Sequence, residues 1–558
     1  MQEQPYLPPA PGTWELDTTH LSRPVSRYCA EFFPDALARG FQEGTERYGL
    51  FVTHLKYVFI NGFGYMKPML AFVPEEAPPG PPPEGFFEQP ALISRFENGP
   101  KAIEGKLWRK DLERWDNEVK PDSIRRHQKL QDVDLASLGS DELVLHLTEC
   151  RDNVVEMFYR HHIFSVPAII ATGHYVDQVS QLTEISAKEA LDLLKGSSPV
   201  SVGIATEELA EIGRLLDSEG LNPAQFSGQA PADVLTALRS RPGPIGPAIE
   251  QYLDLTGYQI ASGYDITERY LLELPEVLVA KFWGACKSQT PLNDARSVDP
   301  LIAEIRGRVS EDKRATFDSL LGEARHMNRL RDERGVYNDA KALGLARRAV
   351  LEAGRRLELE GRLDDGSLLV HASHDEMVSL LRAGPGPSSA DLRSRKQWCD
   401  EKSIDDVPQY LGPAPQPPPP PEALPENARL AARALNAALG NLFDLPMPEK
   451  PKDAGISGLP VSPGISEGVA RLVTDPTDLR SIQRGDVLVA RNTSAAFNAV
   501  LPLLGAIVTD RGGQLSHAAI VSREYGIPGV VSTRNATQTI KNGARVRVDG
   551  AAGSVEVL

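Results

Sequence analysis

Along most of the first 410 positions, apolar residues recur at three- and four-residue spacing, the period of an α-helix with one buried face. SDELVLHLTECRDNVVEMFYRHHIF is one such run, with Ser140 placed to cap its start. DAKALGLARRAVLEAGRRLELEGRL is another, basic on its polar face. Strand-type alternation is scarce, so residues 1–410 are predicted as one large, mostly α-helical region. After residue 456 the period shortens. GVARLV, DVLVAR, AIVTD, GVVS, RVRVDG and SVEVL are short β-type runs broken by Gly, Pro or Asp, and only SHAAIVSREYG and TSAAFNAVLPLL read as helices. Residues 456–558 are therefore predicted as a compact α/β domain, and the chain as multidomain.

Proline marks the join. GPAPQPPPPPEALP (412–425) is a stiff stretch whose fourteen residues would extend on the order of 40 Å as polyproline II. A second tether, DLPMPEKPKDAG (444–455), follows the short helical pattern ENARLAARALNAALGNLF. Residues 411–455 thus read as a proline-rich linker with a short helix, either an ordinary spacer or a mobile arm. APPGPPPEG (77–85) reads as a surface loop within the first region.

Composition narrows the function. At 558 residues the chain exceeds what a single core supports. A formal charge of −16 gives no basic surplus for nucleic acid or anionic membranes. The four cysteines, Cys29, Cys150, Cys286 and Cys399, form no CxxC pair, which argues against a disulfide framework or a zinc site and for a reducing compartment. MQEQPYLPPAPG lacks the features of a signal peptide, and AVLPLLGAIV (499–508) is too short for a membrane helix. A cytoplasmic protein is expected.

The most informative stretch is AIVTDRGGQLSHAAIVSREYGIPGVV (506–531). AIVTD is a predicted strand, RGGQL a loop, and Ser516 the cap of a helix beginning near His517, with Gly526 ending it and Pro528 preventing its continuation. Gly512 and Gly513 allow backbone N–H groups to approach an anion. In the first helical turn, the unpaired N–H groups and the helix dipole disfavour a cation. Neutral imidazole is therefore the expected state of His517. Such an imidazole is a nucleophile, and the dianion it would acquire on phosphorylation suits a helix N-terminus. Taken alone, the same residues also fit a capping turn whose histidine merely packs.

The run TDRGGQLSHAAIVSREYGIPGVV resembles, nearly residue for residue, the phosphohistidine signature of the swivelling domain in the phosphoenolpyruvate synthase and pyruvate phosphate dikinase superfamily. GLPVSPGISEGVARLV resembles the opening of that domain and IKNGARVRVDGAAGSVEVL its close. The resemblance implies that His517 carries the phosphoryl group. Ser516, Gly512 and Gly513 would shape its loop, with Thr509 and Arg511 as neighbours. Superfamily members combine this carrier with an ATP-grasp domain and a receiving domain. No ATP-grasp pattern is found in residues 1–410, and a split enzyme is expected, with ATP and Mg²⁺ bound by a separate ATP-grasp subunit and no cofactor held tightly by this chain.

The helical region is then the acceptor-substrate domain. PGTWELDTTHLSRPVSRY (11–28), DVDLASLGSDELVLHL (132–147), TGYQIASGYDITERYLLELPEVLV (256–279) and the segment 328–365 are similar to the substrate domain of rifampin phosphotransferases and phenol-phosphorylating synthases. The two-component aryl phosphate synthases have the split arrangement, so the resemblance implies transfer to a phenol or alkylphenol: ATP, acceptor and water giving AMP, aryl phosphate and phosphate. An antibiotic phosphotransferase of the rifamycin type and a phosphorelay carrier are the alternatives.

Transfer needs cations near the moving group and a base near the acceptor. RLRDERG supplies Arg329, Arg331 and Arg334 with Asp332 and Glu333. Arg331 matches an arginine of the rifampin enzymes, whereas the lysine expected four residues later falls on Gly335, leaving Arg334 as a substitute; an exposed helical charge face is the plainer reading. Arg331, Arg334 and Glu333 are the catalytic candidates beside His517. Asp265, His20, His161 and His162 are candidates for substrate binding, although a turn, a cap or a structural histidine explains each as well. HASH (371–374) reads as a surface loop, and no metal site is expected. The aromatics of YVFINGFGYMKP (57–68) and LWRKDLERW (107–115) suit a phenol pocket or ordinary core.

Overall fold

The computed structural model of the chain describes residues 4–18, 20–77, 80, 82–198, 204–261, 263–286, 298–415, 419–442, 455–474, 476–493, 497 and 500–558. By compactness the chain divides into two units. The first comprises residues 1–174, 263–268 and 333–435; the second comprises 175–262, 269–332 and 436–558.

The first unit is mostly helical. Its helices include Arg27–Arg47, Ala340–Leu359 and the 43-residue Ser140–Leu182, which belongs to this unit as far as His174. Ser26 caps Arg27–Arg47: its hydroxyl accepts from the Cys29 amide, satisfying a donor that the first turn leaves unpaired. The unit also contains a sheet that helical periodicity does not predict. β1 (Trp14–Leu16), β2 (Val52–Ile60), β3 (Phe63–Leu70) and β4 (Tyr410–Leu411) form four antiparallel strands in the order β2-β3-β1-β4. The β2–β3 turn is Asn61-Gly62, with φ of 53° and 86°, the two-residue geometry that Asn-Gly favours. Trp14, Phe63, Tyr65 and Leu411 bury themselves in the apolar cluster on this sheet, each worth roughly 1.5–3 kcal/mol.

In the second unit, the short runs after residue 456 become strands. β5 (Ile456–Ser457), β6 (Leu459–Ser462), β7 (Ile465–Val473), β8 (Val487–Ala490), β9 (Ala506–Thr509), β10 (Gly529–Val531), β11 (Arg545–Asp549) and β12 (Ser554–Val557) form one sheet, ordered β5-β12-β11-β7-β8-β9-β10-β6. The central strands β7, β8, β9 and β10 are parallel. Every residue of β8, β9 and β10 is buried, which is why these segments read as unbroken apolar runs. Strand β11 alternates between exposed and buried positions along Arg545–Val548, as a sheet with one solvated face should. All six predicted runs are strands, and β5 and β6 are additional.

The predicted SHAAIVSREYG helix is His517–Tyr525. TSAAFNAVLPLL lies partly outside the described residues, and Leu501–Leu503 within it is a 3-10 turn. Helices Thr206–Ser218, Ile245–Thr256 and Pro275–Gly284 share one apolar cluster with the sheet, through Ile212, Ile249 and Phe282 on one side and Leu488, Ile507 and Val531 on the other. The short helix of the linker is Glu426–Leu442. The tether up to residue 454 lies outside the described residues, as do 416–418 of the first proline cluster and 78, 79 and 81 of the earlier loop. Among the described residues, no helix is long and apolar enough to cross a membrane.

Candidate functional site

His517 opens a helix at the C-terminal edge of the parallel strands, the side on which open α/β sheets bind ligands. After β9 the chain is tied down by its backbone: the Asp510 amide donates to the Ala490 carbonyl at 3.1 Å and the Arg511 amide to Arg491 at 2.9 Å. The Thr509 hydroxyl donates to the Arg511 carbonyl at 2.8 Å. Asp510 is buried and anchors the loop further, its carboxylate accepting from the Thr533 hydroxyl at 3.2 Å and the Thr537 amide at 3.1 Å. Gly512 has φ of 119°, and a Cβ there would meet Ser516 Oγ at 2.7 Å, so both conformation and space require glycine. The Ser516 amide donates to the Gly513 carbonyl at 3.0 Å, and Ser516 Oγ accepts from the Ala519 amide at 3.4 Å as the cap. Gly526 (φ 63°) ends the helix in the left-handed conformation.

The imidazole is held by one side only. Thr493 Oγ1 lies 2.8 Å from His517 Nδ1, while Nε2 is buried and has no hydrogen-bond partner among the described residues. Burial holds the ring well below the usual histidine range, down to about 4; the Asp332 carboxylate opposes this and the Arg331 guanidinium adds to it. The ring is therefore neutral at pH 7. In the tautomer that donates from Nδ1 to Thr493, Nε2 carries an unengaged lone pair, the arrangement a nucleophilic imidazole needs. Asp332 is itself oriented by Ser198, whose hydroxyl donates to Oδ2 at 2.7 Å. Arg523 is buried on the same helix, donating to the Gln514 carbonyl at 2.7 Å and fixing the loop before His517.

A second group of polar side chains lies in the first unit. Asp17 is fully buried; His20 Nδ1 sits 3.0 and 3.1 Å from its oxygens, and the Tyr57 hydroxyl donates to Oδ2 at 2.5 Å. Although burial alone would raise it, His20 and Tyr57 hold the Asp17 carboxyl at about 2. His20 moves the other way: Asp17 outweighs burial and raises it above the ordinary histidine value, with Arg334 opposing. The His20 ring meets the Tyr264 ring edge-on at 5.8 Å. His161 contacts Arg334 through Nε2 and Asp339 through Nδ1, and stacks on His162 at 4.7 Å. Burial pushes His161 well below and Asp339 well above their ordinary ranges. His162 donates from Nδ1 to the Phe158 carbonyl at 2.6 Å and is lowered to about 3, chiefly by burial.

The candidates thus fall into groups. Thr509, Arg511, Gly512, Gly513 and Ser516 build the His517 loop, and Arg331 acts on His517 electrostatically. His20, His161, His162 and Arg334 cluster in the first unit. Glu333 lies elsewhere in that unit, accepting from Trp115 Nε1 at 2.8 Å and Lys120 Nζ at 3.0 Å. Asp265 is a buried scaffold that accepts from the Ser26 amide (2.6 Å) and hydroxyl (2.7 Å), bracing the start of Arg27–Arg47. HASH is not a surface loop: His371 and His374 are both buried, the latter in the first turn of a helix whose packing periodicity alone does not reveal. Tyr57 and Trp115, from the two aromatic stretches, are buried and hydrogen-bonded. Among the described residues, no group of three or more His, Cys, Asp or Glu could hold a metal ion.

Sequence reasoning misses Thr493, Asp17, Tyr264 and Asp339. Thr493 carried a usable signal, since it follows β8 and so sits at the same sheet edge as the loop after β9. Asp17 did too: the Asp-x-x-His spacing allows the His20 amide to donate to Oδ1, here at 3.0 Å.

Residues 482–553 match the family described as PEP-utilising enzyme, mobile domain. The chain is 26% identical over 316 residues to the uncharacterized phosphotransferase YvkC of Bacillus subtilis, covering 56% of this chain and 36% of that protein. It is 26% identical over 578 residues to chondramide synthase cmdD of Chondromyces crocatus, covering 98% of this chain and 14% of the synthase. Rifampicin phosphotransferase of Bacillus cereus is 43% identical over 103 residues, 18% of this chain and 12% of that enzyme. The chain thus spans well under half the length of each of these relatives. Together with the capped His517 helix on the edge of the parallel sheet, the match identifies a mobile domain of the PEP-utilising enzyme type within residues 482–553.

Proposed function

We propose that this chain is the acceptor-and-carrier part of an ATP-dependent phosphotransferase, moving a phosphoryl group on His517 from an ATP-grasp partner to the hydroxyl of a phenol or alkylphenol. The observation that carries the reading is the state of His517: neutral, tied to Thr493 through Nδ1, with an unpartnered Nε2 at the start of a helix. Nε2 attacks an ATP phosphate held with Mg²⁺ by the partner. The helix N-terminus and the Arg331 charge favour the phosphate thereby created. AMP leaves as Nε2 bonds to the β-phosphorus, water splits off the γ-phosphate as inorganic phosphate, and the remaining phosphohistidine phosphorylates the acceptor hydroxyl, whose proton is released.

The relatives named phosphotransferase support the reaction class, and the hydrogen-bonded aromatic and histidine cluster of the first unit supports a hydroxyl acceptor. The rifampicin phosphotransferase similarity extends over only 103 residues, so it lends little support to a rifamycin acceptor. The test is label transfer from β-³²P-ATP to the purified chain, with and without an extract of its host, beside His517→Ala. The expected result is an acid-labile label that needs the extract, is absent from His517→Ala and is discharged by added phenol. No label under either condition refutes the carrier mechanism; label that no phenol discharges refutes the acceptor.

A further inference from the structure

We propose that His20, held by Asp17, is the general base that takes the proton from the acceptor hydroxyl; this assignment deepens, and rests on, the phosphotransferase reading above. Three histidines share the first-unit cluster, and the geometry separates them. His161 is closed in, with Nε2 against Arg334 and Nδ1 buried beside Asp339, and burial leaves it weakly basic. His162 spends Nδ1 on the Phe158 carbonyl, and its low basicity makes it a poor proton acceptor. His20 differs in every respect. Its Nδ1 faces a fully buried carboxylate, its Nε2 has no partner among the described residues, and its side chain is 41% exposed, within reach of a small molecule.

Asp17 is built to stay charged and still. It accepts from the Tyr57 hydroxyl, from His20 Nδ1 and from the His20 amide, so both its oxygens are occupied and His20 is held to it at two points. A carboxylate at Nδ1 fixes the tautomer with the lone pair on Nε2 and stabilises the imidazolium formed when Nε2 takes a proton. The edge-on Tyr264 ring supplies an aromatic wall beside the imidazole, a surface suited to a phenol. Arg334 acts electrostatically on the same histidine.

The step balances within these groups. The acceptor O–H bond breaks as its oxygen forms a bond to phosphorus, and the proton passes to His20 Nε2. The P–N bond to His517 breaks, and its electron pair returns to the His517 ring. His20 leaves the step as an imidazolium paired with Asp17, and solvent removes the proton. Asp17 is a positioning residue, acting only through His20.

The experiment isolates this step from charging. The full-length chain is phosphorylated on His517 with ³²P-phosphoramidate, with His517→Ala defining background, and discharge is followed in a single turnover. Two acceptors are compared: phenol, which must lose a proton, and 4-nitrophenol, which is already largely ionised at pH 8. His20→Gln is expected to slow discharge to phenol by about 10²–10⁴-fold while changing discharge to 4-nitrophenol by less than about threefold. Asp17→Asn should show the same selectivity to a smaller degree, with its melting temperature measured in parallel. A His20→Gln chain that discharges to phenol at the wild-type rate, or loses both acceptors equally, overturns the assignment while leaving the carrier reading intact. Wild-type phosphoprotein that no phenol discharges overturns the acceptor reading and this assignment together.

Discussion

Replacing Thr493 by valine removes a single hydroxyl from beside His517 and keeps the shape of the side chain. The hydroxyl lies 2.8 Å from Nδ1, and it is the one hydrogen-bond partner of the ring among the described residues. With the ring lowered to about 4, only on the order of 0.1% of His517 is protonated at pH 7, so protonation does not limit the nucleophile. What the hydroxyl controls is the tautomer. Without it, a proton on either buried nitrogen lacks a partner, so the preference for the Nδ1–H tautomer is lost and part of the population carries its proton on Nε2. A protonated Nε2 has no lone pair to attack phosphorus. As Nε2 bonds to phosphorus the ring gains positive charge, and the missing Nδ1–H hydrogen bond then costs about 1–3 kcal/mol, so at 1.36 kcal/mol per tenfold the initial rate of His517 labelling should fall by roughly 5- to 150-fold. The assay is label incorporation from β-³²P-ATP with host extract, comparing wild type, Thr493→Val and Thr493→Ser. The serine variant keeps the hydroxyl and should label within a few-fold of wild type. Wild-type labelling by a folded Thr493→Val chain would refute the argument that this hydroxyl sets the tautomer.

Four further outcomes are expected. Because the folded value of His517 lies below its unfolded value near 6.5, its neutral state costs nothing above pH 6.5, and stability on the order of 3 kcal/mol is lost as pH falls from there toward 4. The wild type should therefore lose more stability than His517→Gln across that window in urea titrations, and equal losses would contradict the burial argument. Arg331→Gln should raise the His517 value and Asp332→Asn should lower it further, read from the ring proton shifts by NMR. Gly512→Ala places a Cβ against Ser516 at a φ of 119°, costing about 1–3 kcal/mol, and should lower the melting temperature by several degrees. Asp265→Ala strips the buried Ser26 amide and hydroxyl of their acceptor and should destabilise the chain by about 1–3 kcal/mol in urea unfolding.

The mobile domain was legible because its signals are local. Buried parallel strands write themselves as apolar runs, and Ser516, Gly512 and Gly526 each do in the structure what their chemistry dictates over a few residues. The first unit was less legible, since its polar cluster joins residues from four distant segments: Asp17 and His20, Tyr57, His161 and His162, and Arg334 and Asp339. No spacing rule links positions 20 and 334. Its sheet was overlooked for a different reason. Asn61-Gly62 is a strong hairpin signal, but the flanking YVFI and FGYM are apolar on both faces, so period-two alternation is masked. Asp265 and Glu333 illustrate the ambiguity of acidic residues: in the sequence each reads either as chemistry or as a structural group, and in the structure each is a buried acceptor, for Ser26 and for Trp115 respectively.

Gly335–Asp339 is a π-helical turn. Such a turn holds one residue more than the α-helix around it needs, so it works like an inserted tooth that advances the following side chains by about 100°. Asp339 ends the turn, and its contact with His161 depends on that extra residue. Removing one residue between 335 and 338 would let the segment relax to regular α-helix, leaving the hydrogen-bond ladder complete while swinging the carboxylate off the histidine. The chemistry of this cluster and the integrity of its helix are thus heritable separately. A one-codon deletion is the short path by which a descendant of this chain could keep its shape and change the surroundings of His161.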